Sequence, residues 1–260
     1  MRDDILATLV AEARTRADLL DPEQLADEAR NHRPRGFSAA LAADTPAVIA
    51  EIKRRSPSKG PLDPDLDPVD LATRYLRGGA SAISILTEPK HFHGSEKDLR
   101  AVRDAVDLPV LRKDFIVDPV QVVESAAIGA DAVLAIVAGL DDEALRAVIA
   151  AADDHGLDTL VEVHDAREID RASRAGARIV GVNARNLRTF QVDLELVVTL
   201  RDQLGFADVT VAESGIQNRE DVDKVTDAGY HAVLIGETLV RSADPEGTLH
   251  DLLTPVSPAP

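Results

Sequence analysis

Eight short apolar runs recur along the chain, each separated from the next by a helical pattern, and this alternation leaves few folds open. The runs are Val48–Arg54, Ala82–Thr87, Val110–Phe115, Ala132–Val137, Thr159–Val163, Ile179–Asn183, Val209–Ser214 and Ala232–Glu237. Most are unbroken, the pattern of strands buried on both faces of a parallel sheet. Between them, segments such as Val69–Leu76 and Leu145–Ile149 space their apolar residues as an amphipathic helix does. Asp118-Pro119 opens one helix as a cap followed by a first-turn proline, and Gly78-Gly79, Gly129, Gly156, Gly176 and Gly229 close others. One link from helix end to strand recurs as Gly79-Ala80-Ser81-Ala82, Gly129-Ala130-Asp131-Ala132 and Gly176-Ala177-Arg178-Ile179. Eight βα units in 260 residues predict an α/β fold, the closed (β/α)8 TIM barrel, which takes about 250 residues. No G-x-G-x-x-G follows the first run, as a dinucleotide-binding open sheet would require.

The remaining residues divide simply. Residues 1–45 form an N-terminal helical extension with helices expected over Asp3–Arg16 and Pro22–Asn31, residues 46–253 form the barrel, and residues 254–260 are a frayed tail. No second domain is expected. The chain has no Cys, which excludes disulfides, thiolate catalysis and Cys-ligated metals. No apolar stretch approaches the roughly 20 residues that span a bilayer, so no membrane partner is expected. The N-terminus is an acidic amphipathic pattern without a signal-peptide core, which points to the cytoplasm. A net charge of −17 and a pI of about 4.7 argue against nucleic acid as a partner. Acidic clusters such as Asp141-Asp142-Glu143 read as solvated helix faces, and the excess suits a high-salt environment where screening relieves self-repulsion.

Nearly every run carries at or near its end a charged or polar residue that a buried strand should not tolerate, the fourth, which ends in Val137, being the exception. On the first run, Glu51 and Lys53 share a face, an expensive arrangement if buried for structure alone. Leu111, Lys113 and Phe115 share a face of the third run, Leu160 and Glu162 of the fifth, Gly181 and Asn183 of the sixth, and Val211 and Glu213 of the seventh. Active sites of such barrels lie at the C-terminal strand ends. Three carboxylates, two ammoniums and an amide are therefore expected to converge there. Lysine is scarce, with six in the chain, yet Lys53, Lys59 and Lys113 all sit in or just after strand runs. A compact ammonium with a movable pKa suits general acid catalysis in a way that Arg does not.

Ser214-Gly215 and Gly236-Glu237 follow the seventh and eighth runs, where barrels commonly bind phosphate through backbone N–H groups. Glu237 must then turn its carboxylate away and offer only its N–H. The basic loop Arg54–Gly60 fits an anionic substrate. Phe92 and Phe115 stand near strand ends in a chain with only five Phe and no Trp, where they can stack on an aryl ring or pack in the core. His91, His93 and His164 are also near strand ends; they read as structural or incidental, and no metal site is expected.

Taken together, E-I-K-R-R-S-P-S-K-G from Glu51, S-I-L-T-E-P-K from Ser84, L-R-K-D-F from Leu111, L-V-E-V-H from Leu160, V-G-V-N-A-R-N-L from Val180, V-A-E-S-G-I from Val211 and V-L-I-G-E from Val233 resemble the indole-3-glycerol phosphate synthase family of tryptophan biosynthesis. The resemblance implies a small phosphosugar-arylamine substrate, 1-(2-carboxyphenylamino)-1-deoxyribulose 5-phosphate. Ring closure with loss of CO2 and water gives indole-3-glycerol phosphate. It implies no cofactor. By motif position, Lys113 is similar to the general acid for ring closure and Glu162 to the base assisting dehydration. Lys53 would hold the substrate carboxylate and share the acid role, while Glu51, Asn183 and Glu213 would orient lysines and substrate. Arg185 would contact substrate, with Phe92, Phe115 and Leu134 folding it toward attack. Ser56, Ser214, Gly215, Gly236 and Glu237 resemble the phosphate site.

Two departures stand out. The extension lacks the Trp that some members place near the mouth, leaving open what covers the aryl ring. Glu237 stands where other members carry a small hydroxyl residue. Rival readings are another phosphosugar barrel, such as phosphoribosylanthranilate isomerase or a Schiff-base aldolase, and a catalytically silent phosphate-binding barrel. A monomer is expected.

Overall fold

In the computed structural model, residues 5–43, 46–57, 59–186 and 189–254 are described. Eight parallel strands close into a barrel: β1 (Ala47–Ile52), β2 (Ala82–Leu86), β3 (Val110–Lys113), β4 (Ala132–Ile136), β5 (Asp158–Val163), β6 (Ile179–Asn183), β7 (Val209–Glu213) and β8 (Ala232–Ile235). Neighbours follow sequence order, and β8 returns to β1 in the register Ala47↔Ala232 to Ala50↔Ile235. Closure leaves the barrel with no unpaired edge. Every run expected as a strand is one. Most stop a residue or two earlier than the apolar pattern suggests: β3 ends at Lys113 rather than Phe115, and β8 at Ile235 rather than Glu237. Beyond those residues the backbone leaves the register of its neighbour and turns into loops; Glu237 instead opens a short helix.

Three helices precede the barrel: α1 (Ile5–Ala17), α2 (Pro22–Ala29) and α3 (Phe37–Ala43). The first two match expectation within two residues, apart from Asp3 and Asp4, which lie outside the described residues, as do most of the residues expected to form the frayed tail. The third was not expected. Seven residues are too few for helical periodicity to declare itself. Its Phe37 and Leu41 are fully buried among Ala47, Ile49, Ala82, Val209 and Ala232, so they plug the N-terminal end of the barrel. Each such side chain contributes about 1.5–3 kcal/mol. Arg35 fastens this plug: its N–H donates to Asp131 Oδ1 at 2.7 Å, and its guanidinium donates to the carbonyls of Val106, Leu108 and Arg103.

The helices between strands are α4 (Pro68–Arg77), α5 (Glu96–Ala105), α6 (Pro119–Ile128), α7 (Asp142–Asp154), α8 (Ala166–Ala175), α9 (Leu194–Leu200) and α10 (Arg219–Asp227), followed by α11 (Glu237–Val240) and α12 (Pro245–Leu253). Asp118 caps α6 in a reciprocal box with Gln121, and Gly129 ends it at φ 94°, a left-handed turn that favours glycine. Among the described residues, no helix is long and apolar enough to cross a membrane.

Strand alternation sorts the residues into two layers. Ala47, Ile49, Leu111, Leu134, Leu160, Ile179, Val211 and Leu234 fill the interior, and the intervening residues pack outward on the helices. One outward residue is a charge. Arg112, 2% exposed, donates to Glu124 Oε2 at 2.7 Å, Ser125 Oγ at 3.1 Å and Thr87 Oγ1 at 3.2 Å, with Asp114 3.6 Å away. Arg112→Met removes the cation and leaves Glu124 and Asp114 buried without it. The expected cost is about 3–5 kcal/mol, read as a lower urea midpoint at unchanged slope.

Candidate active site

At the C-terminal strand ends the barrel opens into a cavity of about 640 Å³. All fifteen residues singled out from the sequence line it: Glu51, Lys53, Ser56, Phe92, Lys113, Phe115, Leu134, Glu162, Asn183, Arg185, Glu213, Ser214, Gly215, Gly236 and Glu237. The hub is Lys113. Its Nζ lies 2.7 Å from Glu213 Oε2, 3.6 Å from Glu162 Oε2 and 3.9 Å from Glu51 Oε2. The second oxygen of Glu51 takes the Lys53 ammonium at 2.5 Å. Four strands and one loop thus deliver a continuous chain of alternating charge.

Burial and pairing set the protonation states. Burial alone would discharge Lys113, but the charges of Glu213, Glu162 and Glu51 outweigh it and hold the ammonium well above its usual pKa. Burial likewise opposes ionisation of Glu51, yet Lys53 and Lys113 keep it below the usual carboxylate range. Glu162 is also held low, against burial, chiefly by Lys113 and His164. Glu213 goes the other way. Burial and the neighbouring charge of Glu162 overcome Lys113 and push it up to about 7. Three buried carboxylates and one part-buried ammonium in one place therefore differ in proton affinity, as a site for staged proton transfer requires.

Glycines make room for this cluster. A Cβ at Gly181 would overlap Glu213 Oε1, and one at Gly236 would overlap Glu51 Oε1 and come within 2.8 Å of Lys53 Nζ. The loops after β7 and β8 are shaped for close approach. Ser214 and Gly215 both adopt left-handed backbone, φ 65° and 89°; for Ser214 this is uncommon and stores strain at the site. Thr238 Oγ1 donates to the Ile216 carbonyl at 2.7 Å and joins the two loops. The Glu237 carboxylate faces Lys59 at 3.7 Å and Arg241 at 3.3 Å.

The loop after β1 has structure of its own. Arg55–Ser56 pairs with Gly60–Pro61 as a small antiparallel hairpin, and the Lys59 N–H donates to Ser56 Oγ at 3.2 Å; Ser58 lies outside the described residues. Phe92 and Phe115 meet with ring centroids 6.3 Å apart and tilted by 43°. Arg185 is tied back by its own loop, its N–H donating to Asn183 Oδ1 at 3.0 Å.

Several lining residues escaped the sequence reading. Ile5, Leu6 and Leu9 come from α1, which crosses the cavity mouth. Arg16 near its end holds it there through Asp114 at 2.6 Å and Glu88 at 3.6 Å. The apolar spacing of α1 was visible; its docking site was not. Arg241 follows α11, beyond the strand ends that the alternation marks. His91 and His93 part company: His91 Nε2 meets Glu12 at 2.9 Å, and His93 meets Arg55 at 3.3 Å. Among the described residues one group, Glu12, Glu88 and His91, has metal-like spacing. Its carboxylates are already engaged by Lys90, Arg16 and the N–H groups of Lys90, His91 and Phe92.

A family model described as indole-3-glycerol phosphate synthase matches residues 5–252. The chain belongs to the indole-3-glycerol phosphate synthase family. Among curated relatives, the indole-3-glycerol phosphate synthase of a Parafrankia species is 50% identical over 221 residues, covering 85% of this chain and 82% of the relative. Indole-3-glycerol phosphate synthase 2 of Streptomyces coelicolor is 47% identical over 259 residues, covering 96% and 98%. The fold recurs in more distant solved structures. The 3-hexulose-6-phosphate synthase of Salmonella typhimurium superposes with a TM-score of 0.66 at 15% identity, covering 79% of this chain and 96% of that one. That similarity concerns the barrel alone.

Proposed function

We propose that this member of the indole-3-glycerol phosphate synthase family converts 1-(2-carboxyphenylamino)-1-deoxyribulose 5-phosphate to indole-3-glycerol phosphate, CO2 and water, acting as a carboxy-lyase. The observation that carries the reading is Lys113, a part-buried ammonium held charged by Glu213, Glu162 and Glu51 at the centre of the cavity. Ring closure forms a bond between the carboxylate-bearing aryl carbon and the ribulose carbonyl carbon, leaving negative charge on the carbonyl oxygen. Lys113 protonates that oxygen as the charge develops. The carbon–carbon bond to the carboxylate then breaks, CO2 leaves, and its electron pair restores the aromatic ring. In the last stage the new hydroxyl departs as water while Glu162 takes a proton from the five-membered ring.

Lys53 anchors the substrate carboxylate and serves as a second acid when the hydroxyl departs. Glu51 supports this by holding Lys53 with one oxygen and facing Lys113 with the other. Asn183 and Glu213 fix the floor, and Arg185 reaches the substrate from the loop after β6. Phe92, Phe115 and Leu134, with Ile5, Leu6 and Leu9 of α1, enclose the aryl ring; these α1 residues take the place of the missing Trp. Enclosure of this kind excludes water and holds the reacting carbons in attack geometry. The phosphate sits at Ser56, Ser214, Gly215, Gly236 and the backbone N–H of Glu237. Support for the last comes from the Glu237 carboxylate, which is occupied by Lys59 and Arg241. The steps need no cofactor. The reading has the protein act as a monomer in the cytoplasm.

The test is direct. Adding the substrate to the purified protein is expected to produce indole fluorescence, and borohydride added with substrate is expected to trap no covalent adduct. Trapping at a lysine, or no fluorescence, would refute the reading.

A further inference from the structure

The proposed reaction has an unbalanced proton count. Two protons go to substrate oxygen, one at the carbonyl and one at the departing hydroxyl, and one returns to Glu162. Because the carboxylate leaves as neutral CO2, each turnover consumes one proton from solvent. Yet the groups that handle protons are buried: Glu162 is 2% exposed and Glu213 1%. A store near Lys113 would supply that proton while substrate fills the cavity.

His164, just after β5, stands where such a store would be. It does not line the cavity but lies behind Glu162. The two oxygens of Glu162 face different partners: Oε1 is 3.4 Å from His164 Nε2, and Oε2 is 3.6 Å from Lys113 Nζ. On its other side, His164 Nδ1 is 3.1 Å from Glu168 Oε2, and the same oxygen accepts the His164 backbone N–H at 2.7 Å. Donation to Glu168 fixes the ring and places the first proton on Nδ1. Nε2 is then buried with no hydrogen-bond partner, aimed at a carboxylate. A bare lone pair there repels Glu162, whereas an N–H attracts it.

We propose that His164 is a positioning residue that stores the proton consumed in each turnover and returns it toward Lys113 across Glu162. This rests on the activity proposed above. Once Lys113 has given up its proton, Glu162 passes the proton it took from substrate out of Oε2 to the lone pair on Nζ, and Oε1 accepts the proton of Nε2. The Oε2–H and Nε2–H bonds break, the Nζ–H and Oε1–H bonds form, and the electron pairs stay on Oε2 and Nε2. Lys113 then hands one proton through Glu51, whose two oxygens face the two ammoniums, to the Lys53 that protonated the departing hydroxyl, and takes the remaining Glu162 proton in exchange. Glu162 is again a carboxylate, and the neutral His164 regains its proton from solvent after product leaves. The charged groups acting on the ring are Glu162 on its own strand, Glu168 from α8 and Glu213 from β7, with Lys113 from β3 beyond Glu162. Burial disfavours the imidazolium, but the Glu168 hydrogen bond and these three carboxylates outweigh it and raise its pKa.

The experiment follows product fluorescence against pH for the wild type, His164→Asn, His164→Gly and Glu168→Gln, with thermal melts of each. In the wild type, kcat is expected to fall as pH rises through the titration of His164. His164→Asn is expected to lose about tenfold or more in kcat with KM changed less than about twofold, and to lose that alkaline limb. Added imidazole should restore kcat in His164→Gly, and Glu168→Gln should move the limb to lower pH. Wild-type kcat and limb in His164→Asn overturn the proposal. So does a joint loss of kcat, KM and melting temperature without imidazole rescue, which marks a packing role. A wild-type protein that makes no fluorescent product overturns the activity reading itself, and the store with it.

Discussion

Lys113→Met is expected to lower kcat by about 10²–10⁴-fold, the range associated with removing a positioned general acid. Methionine keeps much of the length and bulk of lysine, so the barrel interior stays filled. What disappears is the only ammonium within 4 Å of Glu213 and Glu162 among the described residues. Those carboxylates are nearly inaccessible, and without their cation they take up protons instead. Both acid and base functions then fail together: no donor faces the developing oxyanion, and a protonated Glu162 cannot accept a proton. Single-turnover fluorescence kinetics would show the loss in the chemical step, with substrate binding less affected. Lys113→Arg should not restore activity, because a guanidinium holds its proton too tightly and is too broad for this pocket. Activity within about threefold of wild type in Lys113→Met would contradict the assignment.

Gly181→Ala is expected to be nearly as damaging although the residue carries no chemistry. The added methyl would overlap Glu213 Oε1 and approach Leu160 Cδ1 to 3.2 Å. Because the overlap is with the far end of a side chain, the protein should fold and the carboxylate should swing away. Glu213 is 1% exposed and sits 2.7 Å from Lys113, so the ammonium loses its nearest partner and shifts. Displacement of a catalytic group by about 1 Å can cost on the order of 10²-fold, and a loss of that size in kcat with a near-native melting temperature is the expected result. Full activity would mean that the Lys113–Glu213 contact is dispensable.

The two experiments bear on why the site was so legible. Inward and outward positions on a strand alternate strictly, so the sequence alone assigns Glu51, Lys113, Glu162, Asn183 and Glu213 to the interior. The barrel then brings strand ends together without reference to what they carry. Strand ends were less legible. Phe115 and Glu237 belong to apolar or punctuated runs, but pairing stops before them, since backbone register and not side-chain character decides where a ladder ends.

Contacts between distant segments were illegible for a different reason. Periodicity marked α1 as amphipathic, but nothing local says that Ile5, Leu6 and Leu9 cover the cavity, because that depends on Arg16 finding Asp114, 98 residues away. The α3 plug is similar: Phe37 and Leu41 acquire meaning only once the barrel has an open end to fill. His164 shows the limit most clearly. On sequence it reads, like His91 and His93, as structural or incidental, because a histidine after a strand carries no sign of its neighbours. Only the placement of α8 brings Glu168 against its Nδ1 and turns Nε2 toward Glu162.

The central claim is that this cavity couples ring closure to loss of the substrate carboxylate, with Lys113 as the acid. Its most direct test is to measure CO2 release and indole-3-glycerol phosphate formation together, from the purified wild-type protein and 1-(2-carboxyphenylamino)-1-deoxyribulose 5-phosphate. Equal amounts of the two products at every time point are predicted, with both lost together in Lys113→Met. CO2 without indole product, or indole product undiminished in the variant, would contradict the account.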